Sequence, residues 1–207
     1  MDEGITLFRA KQIMGDDIIG PDELRTIPWL DKNLIQDTPV IPFSEKTLTQ
    51  KKEDYYLILG VGRLADGRDL TIRNLTLLFG KDPEKVEPCF YNQDWYEKEL
   101  FVDEPMKNGW YFVRKNVYEE SRAVLPGELM KSFTFPSAIT CTYSFFVAWI
   151  SGKGKLWFED FVWCSDTDHN GDRIYVGKYH DKDGMNKNGF SIHRHLALRP
   201  CYGCIDQ

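Results

Sequence analysis

The second half of the chain constrains the fold most. Residues 109–118 (GWYFVRKNVY), 137–150 (SAITCTYSFFVAWI), 155–165 (KLWFEDFVWCS), 172–180 (DRIYVGKYH) and 190–198 (FSIHRHLAL) are short and rich in β-branched and aromatic residues. Such stretches read as strands. Polar turns separate several of them: 151–154 (SGKG), 166–171 (DTDHNG) and 181–189 (DKDGMNKNG). Strands joined by short turns pair antiparallel, so the expectation is a β meander or sandwich. An aromatic content of 14% fits such a core, because flat rings pack well on a pleated surface. Read as a strand, 137–150 places Ile139, Cys141, Tyr143, Phe145, Val147 and Trp149 on one face. That segment is then expected at the centre of the sheet.

The first half differs. Pro21 with Asp22 and Glu23 suits a helix start, and 28–37 (PWLDKNLIQD) resumes as a second short helix. Ser44 is placed to cap a helical turn through 45–54, and 55–64 (YYLILGVGRL) is a buried strand. In 71–80 (TIRNLTLLFG), Ile72, Leu75, Leu78 and Phe79 repeat at helical spacing, with Thr71 as cap and Gly80 as stop. Residues 92–101 (NQDWYEKELF) read as another short helix. The fold class expected is α+β, with short N-terminal helices on an antiparallel C-terminal sheet. A chain of 207 residues suits one domain, 1–207, in which a mixed lobe of 1–88 packs on β-rich 89–207.

The net charge of -6 speaks against a broad nucleic-acid footprint, which needs a clustered basic face. The start of the sequence has acids at positions 2 and 3 and no apolar export signal. The apolar run at 144–150 is too short to span a bilayer, which takes ~20 residues. A cytoplasmic protein without a membrane role is expected. Its five cysteines are then expected as thiols or metal ligands.

Two candidate metal sites stand out. Asp166, Asp168, Asn170 and Gly171 match the first positions of a calcium loop, with Asp172 next. The position of the bidentate acid, however, holds Gly177, and Arg173 stands where an apolar residue belongs. A hairpin turn built on Asn170-Gly171 is therefore favoured over bound calcium. The second candidate is zinc. His193 and His195 share one face of a strand, and Cys201 and Cys204 form a C-x2-C pair, which together make a Cys2His2 set. That set would be a closed structural site rather than a catalytic one.

Catalytic signatures are absent. There is no G-x-S-x-G, and 60–67 (GVGRLADG) lacks the lysine of a phosphate loop. Nucleophile pairs of Cys141 or Cys164 with His169, His180, His193 or His195 can be composed, but Cys141 falls on the expected buried face. Asp160, set among Phe158, Phe161 and Trp163, reads either as a carboxyl raised by burial or as an edge-strand charge. Trp157, Trp163, Tyr175 and Tyr179 are candidates for an aromatic binding platform. The expectation is a non-enzymatic binding or interaction protein with a protein partner. The alternatives are a metal-dependent hydrolase or nuclease using Asp166 and Asp168, and an acidic inhibitor protein.

Overall fold

A computed structural model describes residues 4–180, 188–194 and 197–206. Short capped helices open the chain. Thr6 accepts from the Arg9 amide to start α1 (Leu7–Met14), Pro21 opens α2 (Pro21–Leu24), and Asp31 caps α3 (Lys32–Gln36). Ser44 accepts from the Thr47 amide at the head of α4 (Glu45–Lys51). Thr71 does the same for the Asn74 amide at α5 (Ile72–Phe79), which Gly80 ends at φ 65°. The expected caps at Ser44, Thr71 and Gly80 are therefore in place.

Two sheets follow from the apolar runs. β2 (Tyr55–Gly60) is buried along its whole length, because it lies between β1 (Ile18–Ile19), parallel to it, and β3 (Gly109–Arg114), antiparallel. The second sheet carries the expected meander: β4 (Phe161–Thr167), β5 (Arg173–Gly177) and β6 (Ser191–Arg194) pair antiparallel in succession. β7 (Tyr202–Gly203) adds in parallel on the far side of β4. The class is α+β. The stretch at 109–118 belongs to the first sheet, with β2 as its partner, and not to the C-terminal one.

The expected central strand is a helix. α7 (Ala138–Ile150) is the longest helix among the described residues, and Ser137 caps it by accepting from the Thr140 amide. Every residue from Ala138 to Ala148 is buried, so neither a helical nor an alternating polar face marks the sequence. Two hydroxyls bond back to the helix itself: Thr142 donates to the Ala138 carbonyl at 2.7 Å, and Ser151 just beyond donates to Val147 at 2.6 Å. α7 packs on β2, β4 and β5, so it forms the layer between the two sheets. Phe145 and Phe146 lead an aromatic cluster with Phe79, Phe90, Phe190 and Tyr179, at ring separations of 4.4–5.9 Å. The main core draws on residues from Ile5 to Ile205. Residues 92–99 form turns and bends rather than the expected helix, and only Leu100–Asp103 coils, as a 3-10 turn; the short α6 (Pro126–Leu129) comes later in the chain.

Candidate functional site

A cleft of about 440 Å³ opens where the first sheet, the head of α7 and the end of β4 meet. Tyr111 of β3, the segment through Phe101, Glu104 and Lys107, Phe135 before α7, Ser137 and Thr140 at its start, and Ser165 to Thr167 form its walls. The head of α7 is tied to β4 twice. The Ser165 amide donates to the Pro136 carbonyl at 2.9 Å, and the Ala138 amide donates to Asp166 Oδ2 at 2.6 Å. A carboxylate there also faces the positive end of the helix dipole.

Asp166 is the electrostatic centre of the cleft. Burial pushes its carboxyl above the ordinary carboxylate range, and nearby Glu104 adds to this. The Ala138 amide and Arg173 pull the other way but do not cancel the rise. Around it stand exposed polar groups with no side-chain hydrogen bond among the described residues: the Glu104 carboxylate, the Lys107 ammonium and the Ser165 and Thr167 hydroxyls. Phe101, Phe135 and Tyr111 add ring surface.

The hairpin that follows has another role. Asp168 Oδ1 accepts from the Asn170 and Asp172 amides, each at 2.9 Å, and Oδ2 accepts from Arg194 at 3.1 Å. The Asp168 amide donates to the Asp172 carbonyl, and Gly171 at φ 85° completes the reversal. Burial pushes Asp168 up, yet the Asp172 amide, Arg194 and the Asn170 amide outweigh it, so its pKa falls below the ordinary value. The four oxygens expected to hold calcium do not converge. Asp166 reaches α7, Asp168 closes the turn, Asn170 faces solvent, and Asp172 meets Asp168 through its backbone amide and carbonyl. Sequence spacing brought them close along the chain but did not fix their direction.

Of the zinc set, His195 lies outside the described residues. His193 is packed between aromatic rings, stacked on Tyr175 at 5.6 Å and edge-on to Phe161 at 5.4 Å, with Gln93 bonded to its ring nitrogens. Burial, with Arg199 and Lys178 nearby, pushes its pKa down to about 4. Cys201 and Cys204 stand at the two ends of β7 rather than in a tight knuckle, and burial pushes the Cys204 thiol up to about 11. Among the described residues, none of these three belongs to a metal-sized group of ligands.

The aromatic platform is corrected outright. Trp157, Trp163, Tyr175 and Tyr179 are at most 4% exposed, so they build the core rather than a surface. Three of them bond to internal partners: Trp157 Nε1 donates to the Arg114 carbonyl, Tyr175 to Tyr202, and Tyr179 to Glu87. Asp160 is held by a bidentate pair with Arg122 at 2.7 and 3.0 Å. The one convergent group of metal-ligating side chains among the described residues is Glu99, Asp168 and His169, whose ligand atoms lie within 4.8 Å of one another. The sequence marks Glu99 only as one of a carboxylate cluster with Asp94 and Glu97, because it stands 70 positions from His169 and no motif links the two.

Comparison with known proteins gives no match to a family model, to a curated protein or to a solved structure. Among the described residues no helix is long and apolar enough to cross a membrane.

Proposed function

We propose that the chain is a binding protein whose ligand site is the cleft around Asp166. The ligand is a neutral polyhydroxylated compound of mono- or disaccharide size. The observation that carries this is the convergence of the half-buried Asp166 carboxyl with hydroxyls, Glu104 and Lys107 that have no side-chain hydrogen-bond partner among the described residues. A ligand rich in hydroxyls can donate to the carboxylates and accept from Lys107 in the same pose. The Phe101, Phe135 and Tyr111 rings suit the apolar face of such a ring. A volume of about 440 Å³ falls in the usual range of ligand pockets.

One observation favours a second reading. Asp166 has a raised pKa and shares the cleft with a second carboxylate, Glu104, which is the residue pairing of acid–base hydrolysis. A single panel tests both. Neutral mono- and disaccharides are screened by thermal shift, and aryl glycosides are assayed for released phenol. Binding is expected to raise the melting temperature with the logarithm of ligand concentration above Kd, adding about 2.7 kcal/mol of stability at one hundred times Kd. Ser165→Ala, at an exposed position, is expected to keep the fold and to weaken binding. No shift with any saccharide, or equal binding by Asp166→Ala, would overturn the proposal. Phenol release that disappears in Asp166→Asn would establish the hydrolase instead.

A further inference from the structure

We infer that Glu99, Asp168 and His169 form a site for one divalent transition-metal ion at the rim of the cleft. The inference stands on residues other than those of the saccharide reading. Glu99 is 7% exposed, and the Asp168 side chain has no exposed surface. Two carboxylates have thus been brought together out of water, where each needs a compensating cation. Asp168 has Arg194. Glu99 has no lysine or arginine within ion-pair distance among the described residues, and its partners are the His169 amide at 2.9 Å and His169 Nδ1 at 2.6 Å. Two carboxylates and one guanidinium leave the group one positive charge short when the imidazole is neutral. A divalent ion with a hydroxide in its open position would bring the group to neutral.

The donor count permits it. Two carboxylate oxygens offer about four lone-pair directions. Asp168 uses three of them, for two amides and Arg194, which leaves one. Glu99 uses two, one on each oxygen, which leaves two. The ion binds Nδ1 in the tautomer that carries its proton on Nε2, so the proton of the present Nδ1–Glu99 contact moves to Nε2 through solvent. One nitrogen and two carboxylate oxygens are a set that zinc accepts, at about 2.0–2.2 Å from each, with a fourth position open. Those bond lengths put ligand atoms about 3.3 Å apart. Seating the ion therefore widens the His169–Glu99 contact by less than an ångström and lets the remaining ligand atoms close in from their 4.8 Å limit.

The surroundings hold the ligands in place. Asp168 is locked by the hairpin amides, and Arg194 sits over Trp95, whose Nε1 is fixed to the Ile192 carbonyl at 2.9 Å. The His169 side chain is 67% exposed, which gives an ion a path from solvent.

The test is zinc titration of the full chain after dialysis against chelator, followed by calorimetry and by competition with a chromophoric chelator. One equivalent is expected. His169→Ala and Glu99→Gln, with folding checked by circular dichroism, should each weaken binding by about tenfold or more. Cys201→Ser is expected to bind as the parent does. Absence of zinc binding, unchanged affinity in His169→Ala, or loss of binding in Cys201→Ser would overturn the site. The saccharide screen is run without metal, so failure of either proposal leaves the other standing.

Discussion

Asp166 and Asp168 are two positions apart and have opposite electrostatics. Asp166 accepts from the head of α7 in a half-buried cleft, and burial raises its pKa. Asp168 takes two loop amides and a guanidinium, and these outweigh burial and lower its pKa. For Asp166 the folded pKa lies above the unfolded 3.8, so the folded state holds the proton more tightly. This contribution to stability is complete below pH 3.8 and is lost as pH rises through the raised value. Asp166→Asn keeps the oxygen that accepts from Ala138 and removes the titration. The expected outcome is a flatter pH dependence of the urea midpoint above pH 3.8 in the variant than in the parent. Parallel curves for the two proteins would show that Asp166 titrates normally.

At the scale of elements, α7 decides the architecture. It is covered on all sides, and its Phe146 is fully buried against Phe79, Phe90, Phe145 and Phe190. Phe146→Ala is expected to lower stability by about 3–5 kcal/mol, measured by urea unfolding. A loss under about 1 kcal/mol would mean that the helix is not enclosed in this way. The short capped helices were legible because a cap and its partner amide are three positions apart, as at Ser44 and Thr71. β2, β5 and β6 were legible as short apolar or alternating runs bounded by turns. α7 was not, because burial on every side removes the periodicity that tells a helix from a strand. Its signals were Ser137 as a cap after Pro136 and a length of 13 residues, long for a strand. The pairing of β3 with β2 was also hidden, since their register joins residues far apart in sequence, from Gly60 with Gly109 to Tyr55 with Arg114.

The whole molecule explains why the candidate site was only half legible. Asp166 and Asp168 could be named from the sequence, but the groups around them come from elsewhere: Ala138 lies 28 positions from Asp166, Arg194 lies 26 from Asp168, and Glu99 lies 70 from its partner His169. The cleft exists because α7 lies between two sheets and presents its capped end where β3 and β4 approach. Amide chemical shifts of the uniformly 15N-labelled full chain, followed during titration with the saccharide of highest affinity, test this most directly. The account expects saturable shifts concentrated at Lys107, Ala138, Ser165, Asp166 and Thr167. Saturable shifts centred on another face of the molecule, with these five amides unmoved, would contradict it.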